Sequence, residues 1–191
     1  MSSSSSNENF PVLETPRLRL REIVASDAPA LLAIHGNAEH MRWFGCDAMA
    51  DLAAAENLVR TFAGWRQAPN PGTRWGLELK DQPAGLIGSC GLFAWHRGWR
   101  KCALGYEIAP GLAGRGLMQE ALRAVLDWGF AEMGELHRVE AQIHPDNTAS
   151  LKLARRLGFV QEGRAREVGF WGGRHHDLLQ LSLLRREWQT Q

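Results

Sequence analysis

Three glycines lie close together in the run Gly111-Leu112-Ala113-Gly114-Arg115-Gly116. A strand-like stretch ending at Pro110 precedes them, and an amphipathic stretch typical of a helix follows. Glycine has no Cβ atom, so its backbone can approach a ligand closely and adopt a positive φ. The following helix directs unpaired N–H groups and the positive end of its dipole at the turn. The pattern therefore predicts an anion site for a phosphate group.

The spacing separates this turn from two common phosphate-binding turns. It reads G-x-x-G-x-G, whereas the dinucleotide fingerprint reads G-x-G-x-x-G and needs an acidic residue on a following strand, which is not evident. Gly111 and Gly116 have the separation of the P-loop glycines, but Leu117-Met118 replaces the Lys-Ser/Thr pair. On spacing alone, a glycine-rich connection that binds no ligand remains the alternative.

Further short runs lie along the chain in a characteristic order: residues 14–21, 104–110, 114–122, 144–151, 157–159 and 173–188. The second and third runs resemble motif A of the GNAT acetyltransferase superfamily, and the fourth and fifth resemble its motif B. The first and last resemble the ribosomal-protein N-acetyltransferase branch, of RimJ/RimL type. The resemblance extends over residues 13–188, which is nearly the whole chain.

The resemblance implies an activity. Acetyl-CoA would donate an acetyl group to a primary amine, either a protein N-terminal α-amine or a small molecule, by direct attack in a ternary complex. A non-catalytic CoA-binding sensor or interaction module is the alternative. The family forms both monomers and homodimers, so the resemblance leaves the assembly open.

The resemblance also implies an α/β fold (α+β mixed). This is a GNAT-like mixed, mostly antiparallel central sheet of about seven strands flanked by about four helices. The strand at residues 104–109 would splay from the strand at residues 137–144, and the pantetheine arm would lie in the gap.

The local sequence pattern agrees with this order of elements. A helix capped by Ser26 follows the first strand, and Asp146 or Asn147 caps a later helix. The predicted strands cover residues 17–21, 73–80, 86–95, 100–109, 137–144, 164–170 and 177–184, and the longer helices cover 47–66, 114–133 and 147–157.

The CoA contacts that the resemblance implies lie on the two motifs. The family pattern is Q/R-x-x-G-x-G/A, but this chain has Gly111 in the first position, so the grip on the phosphates is left to backbone N–H groups. Arg155 is expected to contact the 3′-phosphate of CoA; the alternative is that it complements the helix dipole. The expected contacts are Ile108, Ala109, Leu112, Gly114, Arg115, Gly116, Leu117, Met118, Asn147, Ser150 and Arg155.

Two side chains are candidates for catalysis. Many family members have a tyrosine seven residues after the motif B asparagine, where this chain has Ala154. The resemblance offers Ser150 instead as the proton source for the departing thiolate. Glu107, on the strand before the glycine turn, is the candidate base, with Glu140 or a water molecule as alternatives. Ser150 has the competing interpretation of a helix-start residue, and Glu107 that of a structural carboxylate.

The sequence gives less information about the part of the site that would bind the amine acceptor. Trp43 and Trp171 fall in irregular segments, where tryptophan can wall a pocket but more often packs in the core. We interpret His175-His176 as the polar start of a strand and expect no metal site.

Composition bounds the remaining possibilities. The chain has 22 Lys+Arg against 21 Asp+Glu, so we expect no direct nucleic-acid partner. No apolar run approaches the ~20 residues of a membrane span. Three widely separated cysteines are expected to be buried thiols in a reducing cytoplasm. Residues 1–10 are predicted to form a disordered leader, and residues 11–191 a single acetyltransferase domain.

Overall fold

A computed structural model describes residues 10–83 and 85–188. Their strands form one sheet in the order β1-β2-β3-β4-β5-β6-β8-β7, antiparallel throughout except between β5 and β6. This confirms the predicted mixed, mostly antiparallel sheet. The additional, eighth strand is the two-residue β1, which is too short to show alternation in the sequence. The strands are β1 (Leu13–Glu14), β2 (Leu18–Glu22), β3 (Thr73–Leu79), β4 (Gly88–His96), β5 (Lys101–Ile108), β6 (Arg138–Ile143), β7 (Val160–Trp171) and β8 (Arg174–Leu184).

Six α-helices accompany the sheet within the described residues, where about four were predicted, because two of them have only four residues. The predicted helix over residues 47–66 begins later, where the side chain of Asp51 accepts the N–H of Ala54. Ser26 is not a helix cap, since it lies inside a short 3-10 turn and Asp27 precedes the helix. The helices are α1 (Ala28–His35), α2 (Ala38–Met41), α3 (Leu52–Gly64), α4 (Leu117–Glu132), α5 (Thr148–Arg156) and α6 (Arg185–Trp188).

The core lies on both faces of the sheet. On one face α4 packs a buried stripe that includes Ala121, Leu122 and Val125 against a cluster containing Trp75. On the other face α1 and α3 form a smaller cluster. Each fully buried leucine or valine of this kind contributes about 1.5–3 kcal/mol. The sheet is therefore held rigidly between two layers of helices, and its strand ends can position a site.

The sheet splits between β5 and β6. These strands pair only where Lys101–Ala103 faces Arg138–Glu140, and β5 then continues beside β4 as far as Ile108. The residue pairing confirms the predicted splay. It leaves the last residues of β5 next to a gap into which the start of α5 projects.

Three further expectations concern the leader, the cysteines and membrane-spanning segments. Residues 1–9 of the predicted leader lie outside the described residues. Phe10 was assigned to the leader, but its ring packs edge-on against Trp75, with centroids 6.0 Å apart. Cys90 and Cys102 are buried as predicted, whereas Cys46 is exposed. Among the described helices, none has the length and apolarity needed to span a membrane.

Candidate active site

A cavity of about 580 Å³ opens where the sheet splits. It is bounded by the end of β5, the glycine turn with the start of α4, the start of α5, and the segment from α2 to Phe44. Ten of the predicted site residues line it: Trp43, Glu107, Ile108, Leu112, Gly114, Gly116, Leu117, Met118, Asn147 and Ser150.

The glycine turn adopts the conformation that its composition predicts. Gly111, Gly114 and Gly116 have φ values of 83°, 79° and 76°, in the left-handed region. A Cβ atom added at Gly111 or Gly114 would meet nothing within 4 Å, so the backbone conformation, not crowding, requires glycine there. Because Gly116 is left-handed, α4 begins at Leu117 and not at the predicted residue 114.

The start of α4 is suited to bind an anion. Its first helical hydrogen bond runs from the N–H of Glu120 to the carbonyl of Gly116, at 3.1 Å. The N–H groups of Leu117, Met118 and Gln119 precede that bond, and they are the donors that every helix start leaves without an intrahelical partner. These three residues line the cavity. The arrangement has the donors and the dipole direction that a pyrophosphate needs.

A carboxylate in the first turn of α4 anchors this region to the start of the domain. Glu120 accepts hydrogen bonds from the Thr15 hydroxyl (2.6 Å), the Arg17 N–H (2.8 Å) and the Arg17 Nε (2.6 Å). Arg17 also donates from Nη1 to the carbonyl of Arg115, at 3.0 Å. Burial raises the pKa of Glu120, but the Thr15 and Arg17 donors outweigh it and lower the pKa overall. The partners of Glu120 lie more than 100 residues away in the sequence, so no local pattern indicates this role.

We expect Glu120→Gln to weaken CoA binding about fivefold. The Arg17 side chain is half exposed, and such ion pairs contribute at most about 1 kcal/mol. Without the Glu120 carboxylate, the Arg17 side chain would be held less firmly, and so would the carbonyl of Arg115 to which Arg17 donates inside the turn. Calorimetry with CoA measures the effect, and Glu132→Gln, at the exposed far end of α4, is the matched control. Equal affinities of the two variants for CoA would show that Glu120 does not contribute to cofactor binding.

The start of α5 brings two predicted residues together. Asn147 caps the helix, its side-chain Oδ1 accepting the N–H of Ser150 at 3.1 Å. The hydroxyl of Tyr106 donates to the carbonyl of Ser150 at 3.4 Å, and burial raises the pKa of this tyrosine to about 12. Because Asn147 supplies the cap, the Ser150 hydroxyl is not used to begin the helix.

Glu107 lies in a buried polar cluster. The Arg74 guanidinium donates to its Oε2 and the Ser89 hydroxyl to its Oε1, while His35 Nε2 lies 3.4 Å from Oε1. Burial raises the pKa of Glu107, but Arg74, His35 and Ser89 together hold it below its usual value. The carboxylate is therefore ionised at neutral pH, and Glu107 is one of the residues that line the cavity.

Glycines on neighbouring strands make room for this cluster. A Cβ atom at Gly105 would lie 3.0 Å from Arg74 Nη1, and one at Gly91 would lie 3.1 Å from Arg74 Cδ. Sequence reasoning missed Arg74, Ser89 and His35. The available signal was a glycine inside each of two strands, which often marks a place where another group approaches the backbone.

Four predicted contacts do not reach the cavity. The N–H of Ala109 is used by the carbonyl of Ile87, at 2.7 Å. Arg115 and Arg155 have exposed side chains outside the lining; Arg156, one helical step on from Arg155, lines the cavity in its place. Trp171 is 5% exposed and lies behind the wall, donating from Nε1 to the carbonyl of Arg42 at 2.9 Å.

The alternative base also lies elsewhere. Glu140 on β6 is paired with Lys101 Nζ at 3.0 Å and with Arg138 Nε at 2.8 Å, and it does not line the cavity. Within residues 10–83 and 85–188, no group of three or more His, Cys, Asp and Glu side chains is arranged to hold a metal ion.

Comparison with known proteins agrees with this geometry. Residues 17–160 match the family model of the acetyltransferase (GNAT) domain. The uncharacterized N-acetyltransferase YoaA of Bacillus subtilis (strain 168) is 36% identical over 176 residues, covering 92% of this chain and 98% of that protein. The [ribosomal protein uS5]-alanine N-acetyltransferase of Escherichia coli (strain K12) is 36% identical over 87 residues, covering 46% of this chain and 44% of that protein.

Comparison of solved structures shows the same fold. The crystal structure of the spermidine N-acetyltransferase from Vibrio cholerae, in complex with CoA and spermine, superposes with a TM-score of 0.78 at 22% identity, covering 92% of this chain and 99% of that one. The chain belongs to the GNAT acetyltransferase family, whose members take the acetyl group from acetyl-CoA.

Proposed function

We propose that the cavity at the split in the sheet transfers an acetyl group from acetyl-CoA to the primary amine of a protein N-terminus or of a small molecule. One observation carries the proposal: residues of the glycine turn, the Asn147–Ser150 helix start and Glu107 line a single cavity. The uS5-alanine enzyme of E. coli and the spermidine enzyme of V. cholerae, named above, support the two acceptor classes.

The residues of the turn would hold the pyrophosphate through backbone N–H groups. Gly114, Gly116, Leu117 and Met118 are placed for this, and Leu112 lines the same wall. Ile108 and Asn147 would contact the pantetheine arm beside the end of β5. Arg156 replaces Arg155 as the candidate for the 3′-phosphate, because its side chain lines the cavity and an arginine fork suits a phosphate.

Glu107 would receive the proton of the attacking amine, directly or through one water molecule. Its lowered pKa makes it a weak base towards a free alkylammonium ion. The nitrogen becomes far more acidic once it is bonded to the thioester carbon, so a weak base suffices after attack. An α-amine, with a pKa of ~7.7–8.0, reaches the site partly neutral, whereas a lysine side chain at ~10.4 does so rarely. This difference favours acceptors with an α-amine.

Ser150 would stabilise the departing thiolate with its hydroxyl. A thiol has a pKa near ~8.5 and leaves readily, so the contribution is that of one hydrogen bond to a charged atom, about 1.5–3 kcal/mol. We expect Ser150→Ala to lower kcat about 10- to 100-fold, with the Kd for CoA changed less than about twofold.

Steady-state transfer assays and calorimetry together check the Ser150 prediction. Ser150→Thr keeps a hydroxyl at the same position and is the matched control, expected to retain more activity than the alanine variant. An alanine variant with unchanged kcat would exclude Ser150 from the mechanism.

A non-catalytic CoA-binding module is the second candidate, because Ala154 and Gly111 replace side chains common in the family. The test is to mix the protein with acetyl-CoA and a panel of peptides and small amines, and to follow the release of free thiol. Transfer to any amine supports the enzyme, and CoA binding without turnover across the panel supports the module.

We also propose a cytoplasmic location. The three cysteines are free thiols, and burial raises the pKa values of Cys90 and Cys102 to about 12, so neither is poised for disulfide exchange.

A further inference from the structure

Four aromatic side chains stack behind the acceptor end of the cavity. This Trp–His cluster consists of Trp43, His144, Trp171 and His176. Trp43 lies on His144 with ring centroids 4.1 Å apart and planes 19° apart, and Trp171 lies on His176 at 3.7 Å and 8°. The two histidines are 8% and 6% exposed. Of the four, Trp43 lines the cavity.

A hydrogen-bonded chain with a fixed direction runs through the two imidazoles. The backbone N–H of Asp146 can only donate, so Nδ1 of His144, 3.1 Å away, accepts. Nε2 of His144 must then carry the proton and donate to Nδ1 of His176 at 3.3 Å. Nε2 of His176 in turn donates to the carbonyl of Trp171 at 3.1 Å, and a carbonyl can only accept. Every link is satisfied only when both rings are neutral.

The same cluster joins two segments that are far apart in the sequence. Trp171 Nε1 donates to the carbonyl of Arg42 at 2.9 Å, and the N–H of Gly172 donates to Oδ1 of Asp47 at 2.6 Å. The tip of the β7–β8 hairpin is thereby attached to the loop that carries Trp43. His176 is thus connected to Trp43 both through the neighbouring ring and through this loop.

We propose that His144 and His176 are a positioning pair, which holds Trp43 as the wall of the acceptor site while both imidazoles are neutral and releases it when either gains a proton. The inference rests on the proposed function, because it assigns the acceptor to the Trp43 end of the cavity. A second proton on His144 would sit at Nδ1 and face the N–H of Asp146, donor against donor. A second proton on His176 would sit at Nδ1 and face the Nε2–H of His144 in the same way.

The surroundings of His144 favour its neutral form. Its own segment carries Asp146, whose Oδ2 lies 3.8 Å from Nδ1, and the hairpin presents His176, Arg174 and Arg164. Burial lowers the pKa of His144 below 6.5, and His176 and the two arginines add to this while Asp146 opposes it. The stability that the neutral ring contributes is therefore complete above pH ~6.5 and is lost as the pH falls through the lower, folded-state pKa.

Kinetics of the wild type and His144→Asn/His176→Asn between pH 5.5 and 8.5 test the pair. At each position the asparagine Oδ1 can replace Nδ1 as hydrogen-bond acceptor, but neither asparagine can titrate. We expect the wild-type KM for the acceptor to rise about tenfold on acidification while the KM for acetyl-CoA changes little. The double variant should lose the two hydrogen bonds that the Nε2 atoms make, raising its acceptor KM about tenfold at pH 8, and should show a much flatter rise. Titration of the amine itself is common to both enzymes and cancels in the ratio.

A second readout needs no turnover. The indole N–H resonance of Trp171, assigned with Trp171→Phe, should shift with pH in the wild type and stay constant in His144→Asn/His176→Asn. A wild-type resonance that does not respond to pH, or identical KM profiles in the two enzymes, would overturn the positioning pair. Absence of transfer to any amine would instead overturn the proposed function and leave the resonance to decide on the pair. If the double variant does not fold, the response of the wild-type Trp171 resonance to pH decides on the pair.

Discussion

Valine at both Gly114 and Gly116 should weaken CoA binding about 100-fold and reduce transfer in proportion. Both residues have φ near +80°, where a residue with a side chain is strained by about 1–2 kcal/mol and a β-branched one by more. Without CoA, the turn of the variant can relax into another conformation. The strain therefore opposes binding, because the bound ligand requires the left-handed conformation. About 3 kcal/mol over the two positions corresponds to the 100-fold loss.

Gly134 provides a matched control for this prediction. It follows α4 at the opposite end, has φ of 60°, and a Cβ atom there would also meet nothing within 4 Å. Gly134→Val therefore introduces the same kind of backbone strain away from the cavity, and should lower the melting temperature without changing the Kd for CoA. Calorimetry with CoA compares the two. Full affinity in the Gly114→Val/Gly116→Val protein would show that the turn does not hold the cofactor.

Arg74→Met should lower the free energy of unfolding by about 3–5 kcal/mol at pH 7. Arg74 and Glu107 are 5% and 6% exposed, and removing one partner of a buried ion pair leaves the other charge uncompensated. In the wild type the pKa of Glu107 is lowered, so its contribution to stability is present above pH ~4.5 and is lost as the pH falls through its folded-state pKa.

The pH dependence identifies the mechanism of that loss. Without Arg74, burial is less opposed and the pKa of Glu107 rises, so the folded variant takes up a proton as the pH falls. The difference in unfolding free energy between variant and wild type should therefore shrink between pH 7 and pH 4. Urea denaturation across this range measures it. A difference that stays constant with pH would mean that lost packing, and not the uncompensated carboxylate, causes the destabilisation.

A double variant separates stability from catalysis. Arg74→Met/Glu107→Met replaces the pair with two apolar side chains, which often restores the stability lost on breaking a buried pair. We expect most of the stability to return while transfer remains impaired, because the proposed proton acceptor is gone. Full transfer by this protein would make Glu107 a structural residue and assign the proton to water.

The parts of the site that lie within one continuous segment were predictable from the sequence. The glycine turn with the start of α4, and Asn147 as the cap of α5, each depend on a local pattern of φ preference and helix capping, whereas Ser150 was a candidate only through the family resemblance. They needed only the correct order of elements to meet in one cavity.

The parts that depend on pairing across strands were missed. Judged from its neighbours in the sequence, Arg74 is an ordinary polar position on a strand. It is buried because its side chain extends from β3 across β4 to β5, over a glycine on each of those two strands. His176 was interpreted as a polar strand start, yet it is buried against Trp171, because the hairpin tip folds back on the α2 loop. No local pattern reports such contacts between distant segments.

Transfer of an acetyl group to nitrogen in the cavity can be measured directly. Deuterated acetyl-CoA incubated with the protein and a panel of peptide and small-molecule amines, followed by mass spectrometry, measures this. We predict that the label appears on the amine nitrogen of at least one acceptor, in amounts equal to the free CoA released, and that the rate falls in the Gly114→Val/Gly116→Val protein. CoA binding at full affinity with no labelled amine in the panel would contradict it.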